Sequence, residues 1–466
     1  MELRDNQIDP VKIGIEFFNK SFSKPSLMVE PVAFGKSIVI AYITKGITGK
    51  TIVLQPSKEL LEQNYEKFKI LGGEASIFSA SMKKKEFGDV TYATIGSIKN
   101  IGSQFSSYTN LIIDEADRYP RSADSMLGKF LKSSGINKVL GFTATPFKLQ
   151  TNSMQMESYS ITKLLTSRSK HGNFFKNIIH VTQIQDMKDK YWSNLLYEEY
   201  DFKTGDLVYN STKAEYTEES IEKAYNNQNI GQRIIDKIAD LNTNSLFSNE
   251  RKSILVFVPS VAEAKRLASI IPYSIAVYGD MPAKEREEAV RKFKSQELQV
   301  AINVNIFSIG FDYPEIDCII LGRPTASLSL YYQQCGRGTR LHVNKRDCLL
   351  IDFVGNIDKF GKIEDLYFKR DNIWKLYGTG GKLLTGIPIH TLGSVTEASE
   401  KAEVIFKEKK KQALIEGDTL VTFGKFKGMK VEETPMWWRR WVLKNIDDPS
   451  LQMQFVINKI KQLQCV

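Results

Sequence analysis

A short apolar run that ends in two adjacent carboxylates is the feature that most constrains the fold of this chain. Leu111, Ile112 and Ile113 read as a buried strand, and Asp114 and Glu115 follow directly. Open α/β sheets place their ligands at the carboxyl ends of strands, so these carboxylates are expected at a site rather than in a core. Taken alone, the pattern is equally compatible with a strand followed by an acidic helix start.

A second pattern, upstream, has the spacing of a phosphate-binding loop. Residues 30–37 read EPVAFGKS and precede a helical stretch. In such loops the backbone amides at a helix N-terminus hold phosphates, the lysine reaches the β- and γ-phosphates, and the hydroxyl coordinates Mg²⁺. Gly35, Lys36 and Ser37 are therefore candidate ATP-binding residues. Glu30 stands where such loops usually begin with glycine, so the spacing alone is a weak indication.

The order of the motifs carries more information than any one of them. They follow one another as GKS at 35–37, DEAD at 114–117, TATP at 143–146 and QQCGRGTR at 333–340. This order resembles that of the superfamily 2 helicases, over about residues 1–356. The TATPF ending, the GFD at 310–312 and the QQCGRGTR resemble the RadD-like and phage UvsW-like DNA helicases more than the RNA-directed DEAD-box proteins.

The resemblance implies an ATPase site that two lobes share. In the first lobe Lys36 would bind phosphates, and Ser37 and Asp114 would hold Mg²⁺. Glu115 would orient and deprotonate the attacking water. In the second lobe the arginines of the last motif would complete this site.

Guanidinium groups that reach a γ-phosphate across a cleft stabilise charge during phosphoryl transfer. Arg337 and Arg340 are spaced one helical turn apart, so they could face the same phosphate. Gln333 lies on the same face and could position water. Taken alone, the segment is also compatible with a nucleic-acid-binding loop.

Four further nucleotide contacts are expected from the resemblance. Gln7 would select adenine through its amide, and Arg4 would stack on the ring. Gly310 would approach the nucleotide, and Asp312 would bind the ribose or the lobe interface. Residues 310–312 are also compatible with a plain turn.

Nucleic-acid contacts and coupling residues are expected from the same source. The residues that would grip the backbone of one strand are Ser57, Lys58, Thr94, Ser97 and Ser308. For Lys58 alone, a solvated helix end is a serious alternative. Thr143 and Thr145 would couple hydrolysis to lobe movement by bonding the acidic pair.

Composition is that of an ordinary globular chain with a polyanionic partner. The 466 residues are 42% hydrophobic and 25% charged, which suits several domains. The net charge of +10 favours a nucleic acid, whose counterions are released on binding, although it also suits general solubility. The 4 cysteines lack metal spacing and predict neither zinc nor a disulfide. With no signal peptide or membrane span expected, the predicted location is the cytoplasm.

Alternating strand and helix patterns predict an α/β fold with two tandem RecA-like parallel-sheet lobes and a small C-terminal accessory domain. The expected parts are an ATP-binding lobe, a connecting helical region, a second lobe and an accessory module, at 1–160, 161–245, 246–376 and 377–466. The TFGKFKG segment at 422–428 resembles small FGKYKG modules. A miniature core is expected to bury at least two of Trp437, Trp438 and Trp441.

The whole pattern predicts an ATP-dependent DNA helicase or translocase that uses ATP and Mg²⁺. Forked or branched DNA in repair, recombination or replication, including branch migration, is the expected substrate class. An RNA helicase is an alternative on another substrate. A non-catalytic nucleic-acid-binding protein is a second alternative, suggested by Val32 and Ala33 in the phosphate loop, but the intact Lys36, Asp114 and Glu115 favour an enzyme.

Overall fold

The computed structural model describes six long stretches and a few short ones. They are residues 2–119, 124–154, 157–167, 174–243, 251–304, 313–393, 421, 426–445, 456–457, 459–461 and 463. The chain divides into two compact units, residues 1–395 and 396–466. No helix in these stretches is long and apolar enough to cross a membrane.

The first half of unit 1 is built around one parallel sheet. Its helices and strands are α1 Asp5–Asn19, β1 Ser26–Val29, α2 Lys36–Gly46, β2 Thr51–Gln55, α3 Lys58–Ile70, β3 Ser76–Ser79, β4 Lys84–Lys85, β5 Val90–Thr94, α4 Ile95–Ile98, β6 Asn110–Ile113, α5 Met126–Ser134, β7 Lys138–Thr143, β8 Phe147–Met154, β9 Glu157–Leu164, β10 Asn177–Val181 and α6 Gln185–Tyr191. The strand order is β10-β1-β7-β6-β2-β5-β3-β4, and only β4 runs antiparallel to its neighbour. Central strands such as β2 and β6 are buried along their whole length, as strands covered by helices on both faces must be.

The second half of unit 1 repeats this architecture. Its elements are β11 Asn194–Glu199, α7 Glu218–Asn227, α8 Ile230–Thr243, β12 Ile254–Phe257, α9 Val261–Ile270, β13 Ser274–Tyr278, α10 Ala283–Lys294, β14 Val300–Val304, β15 Cys318–Leu321, α11 Leu328–Cys335, β16 Asp347–Asp352, α12 Asn356–Phe360, β17 Tyr367–Arg370 and β18 Trp374–Tyr377. The sheet order is β11-β16-β15-β12-β14-β13, and every pairing is parallel. The α/β fold with two parallel-sheet lobes is thus confirmed.

The segment at 161–245 differs from a purely helical connection. It holds α6, α7 and α8, but it also supplies β10 to the edge of the first sheet and β11 to the edge of the second. Helices α7 and α8 are separated at Asn229, which adopts a left-handed backbone conformation with φ 52°. The chain therefore crosses between the lobes at residues 192–193.

The end of unit 1 extends beyond the expected boundary at 376. Leu384 and Ile389 are buried, at 1% and 0% exposure, and the amide of Gly386 donates to the carbonyl of Thr162 at 2.9 Å. Residues 377–393 therefore belong with the lobes, because they close over the β8–β9 hairpin.

Unit 2 has a small core of its own around α13, Met436–Asn445. Trp438 is buried at 5% exposure and packs with Val421, Val431 and Val442. Trp437 and Trp441 are 63% and 51% exposed, so the expectation that at least two of these tryptophans are buried is wrong. The helix turns one tryptophan inward and leaves the others on its outer face. Residues 422–425 of the TFGKFKG segment lie outside the described part of the chain.

Candidate active site

The phosphate loop joins β1 to α2 and adopts a conformation that glycine makes possible. Ala33 and Gly35 have φ angles of 58° and 89°, and Lys36 and Ser37 are the first two residues of α2. A side chain at Gly35 would be strained, because its Cβ would lie 2.7 Å from Nε2 of Gln7. The loop thus presents its lysine and hydroxyl at a helix N-terminus, the arrangement that binds phosphate.

Glu30, which stands where such loops usually begin with glycine, follows β1 directly. Its side chain is fully buried and accepts a 2.5 Å hydrogen bond from the hydroxyl of Thr182, just beyond β10. Burial raises the pKa of the Glu30 carboxyl to about 8, although the hydrogen bond from Thr182 and the charge of Lys36 act to lower it. This carboxyl therefore anchors the loop to the edge of the sheet.

Asp114 and Glu115 lie at the carboxyl end of β6, as predicted. Both oxygens of Asp114 accept hydrogen bonds at 3.0 Å, one from the Glu115 amide and one from the side-chain amide of Asn64. Nζ of Lys36 lies 3.0 Å from Oε1 of Glu115. The left-handed backbone of Glu115, with φ 48°, is the kind of strained conformation that concentrates at functional sites.

The pKa values of Asp114 and Glu115 are shifted in opposite directions. Burial and the charge of Glu115 raise the pKa of Asp114 to about 6, although Lys36 opposes this shift. Burial also acts to raise the pKa of Glu115, but the charge and hydrogen bond of Lys36, with Arg118 and Arg337, lower it below its ordinary value. Burial acts to lower the pKa of Lys36, and the two carboxylates raise it overall. Glu115 and Lys36 are therefore both charged at neutral pH.

Thr143 ends β7 and Thr145 lies two residues beyond it, and both bond a different carboxylate from the one expected. Their hydroxyls donate to the two oxygens of Asp117, at 2.7 and 3.0 Å. The expectation that they bond the acidic pair is wrong, because residues 116–118 turn in a short 3-10 helix that carries the fourth residue of DEAD toward the end of β7. Asp117 is the residue that links the two motifs.

Ser37 and Asp114 both line the cleft and offer the hard oxygen donors that Mg²⁺ prefers. Within the described stretches no three His, Cys, Asp or Glu side chains cluster as a metal site. These two donors suit a Mg²⁺ ion that takes its remaining ligands from phosphates and water. Nζ of Lys67, on α3, lies 2.8 Å from the Ser37 hydroxyl, so this lysine would shift when a cation binds there.

The second lobe closes the cleft opposite the phosphate loop. Gln333 is on α11, and Arg337 and Arg340 lie in the turns after α11 ends at Cys335. They are therefore not one turn apart on a helix, as the spacing had suggested, although both still line the same cleft.

The cleft has a volume of about 320 Å³. Residues of the first lobe on its wall include Arg4, Gly35, Lys36, Ser37, Asn64, Lys67, Asp114, Glu115 and Arg118. Gln333, Arg337 and Arg340 line it from the second lobe. The structure thus brings the predicted phosphate, metal and base residues of one lobe together with the arginines of the other.

Gln7 is buried inside the first lobe and does not line the cleft. Its Nε2 donates to the carbonyl of Phe34 at 2.6 Å and its Oε1 accepts from the Arg4 amide at 3.0 Å. The Arg4 guanidinium lies 5.2 Å from the ring centroid of Tyr191, and both residues line the cleft. Gln7 supports the phosphate loop directly, and its contact with adenine stays a prediction.

The candidate nucleic-acid residues lie at the carboxyl ends of neighbouring strands. Ser57 caps α3 just after β2, and its hydroxyl accepts from Leu60. Thr94 ends β5, and its hydroxyl lies 2.9 Å from that of Ser97. Because β2 and β5 are adjacent and parallel, these residues and the exposed Lys58 share one edge of the sheet. Their contact with nucleic acid stays a prediction.

Three second-lobe candidates, Ser308, Gly310 and Asp312, lie outside the described residues.

Sequence reasoning missed several residues of the cleft. They include Asn64, Lys67, Arg118 and Tyr191. Sequence reasoning also missed Asp117, which is not on the cleft wall but accepts hydrogen bonds from Thr143 and Thr145. Asn64 and Lys67 are three residues apart on α3, so they face the same side, but that spacing alone is shared with many solvated helices. Asp117 and Arg118 belong to the DEAD turn and could have been suspected from it.

Comparisons with known proteins agree with this geometry. A family model described as "Type III restriction enzyme, res subunit" matches residues 1–148, and one described as "Helicase conserved C-terminal domain" matches residues 235–342. The two models fall on the two lobes in the same order as the motifs.

Individual relatives share parts of the chain. The "Putative ATP-dependent helicase IRC3" of Saccharomyces cerevisiae is 49% identical over 79 residues, which are 17% of this chain and 12% of that protein. A "51.5 kDa protein" of a Lactococcus phage, isolate 7-9, is 25% identical over 366 residues, or 76% of this chain and 70% of that protein. The chain therefore covers only a small part of the yeast relative.

A solved structure shares the fold. The fragment of a putative HsdR subunit of a type I restriction enzyme from Vibrio vulnificus YJ016 aligns with a TM-score of 0.54 and 16% identity, over 76% of this chain and 64% of that one. The two matching family models, in the order of the two parallel-sheet lobes, show that the chain belongs to the superfamily 2 helicases.

Proposed function

We propose that this chain is an ATP-dependent DNA helicase or translocase that moves along one strand of forked or branched DNA. The observation that supports this most directly is the single cleft lined by Lys36 and Glu115 of the first lobe and Arg337 of the second. Sites that hydrolyse nucleoside triphosphates need a phosphate cradle, a residue that activates water and a cation opposite the γ-phosphate. The described cleft contains a candidate for each.

Binding of ATP would begin at the phosphate loop. The amides at the start of α2 and the ammonium of Lys36 would hold the β- and γ-phosphates. Ser37 and Asp114 would hold Mg²⁺, which when bound neutralises charge on the phosphates. Asn64 keeps the Asp114 carboxylate oriented through its 3.0 Å hydrogen bond.

Hydrolysis would use Glu115 as the base. Its pKa is lowered by Lys36 and by nearby arginines despite its burial, so it is ionised and able to accept a proton from water at neutral pH. Arg337 and Arg340 would stabilise the charge that develops on the γ-phosphate as the bond breaks.

Coupling to movement would pass through Gln333. Its side chain lies 3.4 Å from Arg118 and 3.4 Å from the Thr145 hydroxyl, both in the first lobe. Thr145 in turn donates to Asp117. A change at the γ-phosphate would thus be transmitted to the contact between the lobes through a few residues. Alternating contacts between the sheet edge and the nucleic-acid backbone would then move the protein stepwise along one nucleic-acid strand.

The proposal includes DNA as the substrate, a role in repair or recombination and a cytoplasmic location. It also includes the closer likeness to RadD-like and UvsW-like helicases. The net charge of +10 supports a nucleic-acid partner in general. The choice between DNA and RNA rests on the forms of the motifs.

The test is ATP turnover measured without nucleic acid, with single-stranded DNA and with single-stranded RNA of the same length and sequence. We expect strong stimulation by DNA and little by RNA. Unwinding is then measured on tailed, forked and branched duplexes with ATP, with the Lys36→Ala variant as the negative control. Stimulation by RNA alone would make the chain an RNA helicase, and no turnover under any condition would leave a binding protein.

A further inference from the structure

Both main-chain polar groups of Val32 are bound by side chains from beyond the first lobe. The amide of Val32 donates to the hydroxyl of Tyr332 at 3.3 Å, and its carbonyl accepts from the indole nitrogen of Trp192 at 3.1 Å. Tyr332 is on α11 of the second lobe, and Trp192 is in the two-residue crossing between α6 and β11. The side chains of Trp192 and Tyr332 are buried, at 4% and 3% exposure, whereas Val32 is partly exposed on the cleft wall.

The side chain of Val32 makes a further contact, with the backbone of the second lobe. A Cβ atom placed on Gly336 would lie 2.8 Å from both Cγ1 and Cγ2 of Val32. Gly336 follows α11 directly and precedes Arg337. Val32 thus packs against the backbone that leads into the arginine segment, and no larger residue than glycine fits there without a shift.

Val32 occupies a phosphate-loop position, and its amide faces Tyr332 rather than the helix N-terminus. A β-branched residue restricts its own side chain to few rotamers, which suits a fixed contact better than the flexible residues usual in such loops. Val32 was one of the two features that made the loop look degenerate in sequence. In the structure it makes the contact between the loop and the second lobe.

We infer that Val32, Trp192, Tyr332 and Gly336 form an interlobe latch that sets the position of Arg337 relative to Lys36. The inference rests on the proposed ATPase. Tyr332 and Trp192 are positioning residues in it, since they act on the phosphate through Val32 and through the backbone after α11. Through the latch, the phosphate loop responds directly to the position of the second lobe.

Tyr332→Phe removes the latch hydroxyl and leaves the ring. Tyr331→Phe is the matched control, because Tyr331 is buried on the same helix and its hydroxyl donates to the carbonyl of Gly361 at 2.7 Å, within the second lobe. With saturating DNA, Tyr332→Phe should lower kcat about threefold to tenfold, the size expected for one hydrogen bond, and leave the KM for ATP within about twofold. Tyr331→Phe should keep the wild-type kcat.

Hydrogen exchange of the peptide that contains Val32 supplies a readout that does not depend on hydrolysis. The Val32 amide should exchange about threefold to tenfold faster in Tyr332→Phe and at the wild-type rate in Tyr331→Phe, since only the first loses its acceptor. Unchanged exchange and unchanged kcat in Tyr332→Phe would overturn the latch and leave the ATPase standing. Equal losses in both variants would also overturn it, because they would reflect packing of α11.

If the wild-type protein does not hydrolyse ATP, the proposed function fails and the exchange measurement alone decides on the latch. Faster exchange in Tyr332→Phe only would then support the interlobe contact, and equal exchange in all three proteins would overturn it.

Discussion

Nζ of Lys36 lies 3.0 Å from Oε1 of Glu115, so the residue proposed to hold the γ-phosphate contacts the residue proposed to activate water. One comes from the start of α2 and the other from the end of β6. An attack on a phosphate requires both groups within a few ångströms of the same atom. Strands β1 and β6, which lie on either side of β7 in one parallel sheet, bring them there, although 78 residues separate them in the chain.

Lys36→Ala should reduce ATP turnover below detection. No other lysine of the described cleft stands at the N-terminus of α2, and the loss also removes the ammonium that lies 3.0 Å from the partly buried Glu115. Turnover of ATP with saturating single-stranded DNA is the measurement. Lys45→Ala is the control, since Lys45 lies at the far end of the same helix and donates to the Leu71 carbonyl at the surface. Normal turnover in Lys36→Ala would remove the phosphate-loop assignment.

Glu115→Gln should separate binding from chemistry. The amide keeps the size of the side chain and loses the proton acceptor, so nucleotide affinity should stay within a few-fold while kcat falls by ~10²-fold or more. Binding of a fluorescent ATP analogue and steady-state turnover measure the two effects. A variant that turns over ATP at the wild-type rate would show that another group is the base.

Arg337→Ala and Arg340→Ala test whether the second lobe completes the site. An interaction made mainly in the transition state lowers kcat more than nucleotide affinity, and each variant should show this pattern. Arg346→Ala is a suitable control, because Arg346 is exposed and lies beside Asp347, away from the cleft. Loss of DNA binding with intact basal hydrolysis would instead assign the two arginines to the nucleic-acid path.

Glu30→Gln should change how stability depends on pH. Burial raises the pKa of Glu30 to about 8, so between its ordinary value near 4.5 and pH 8 the folded protein holds a proton that the unfolded chain releases. The contribution of Glu30 to the free energy of unfolding is therefore fully present at low pH and is lost as the pH rises toward 8. Glutamine carries no such proton, so the Tm of the variant relative to wild type should increase from pH 6 to pH 8.5. An equal difference at both pH values would mean that Glu30 is already ionised at pH 6.

A chain that ends at Val395 should keep both lobes and its basal ATPase. If unit 2 contributes phosphate and stacking contacts, this truncation should weaken DNA affinity and lower the salt dependence by about one unit of slope per lost contact. Equal affinity and equal slope would make unit 2 a docking or packing element.

A chain that ends at Lys375, where the expected module boundary lies, is the informative comparison. It loses Leu376, Leu384 and Ile389, which are at most 1% exposed. Burial of each such side chain contributes about 1.5–3 kcal/mol. The shorter chain should therefore have a clearly lower Tm than the chain that ends at Val395. Equal Tm values would mean that residues 376–393 add little to the core.

The sequence by itself determined the fold class and the motif residues, because both depend on local pattern. The apolar run from Leu111 to Ile113 predicted β6 within one residue, and the carboxyl ends of such strands are where parallel sheets bind ligands. The order of the motifs then indicated Lys36, Asp114, Glu115, Arg337 and Arg340, and all of them line one cleft.

Only the tertiary structure decided how these residues pair. The hydroxyls of Thr143 and Thr145 bond Asp117 rather than Asp114 or Glu115, because the short turn after β6 sets which carboxylate faces β7. Val32 departs from the usual sequence of a phosphate loop. Only the structure shows that the hydroxyl of Tyr332, 300 residues away, accepts a hydrogen bond from the Val32 amide. Such contacts join distant segments through backbone groups, which every residue carries, so no pattern of side chains along the chain can reveal them.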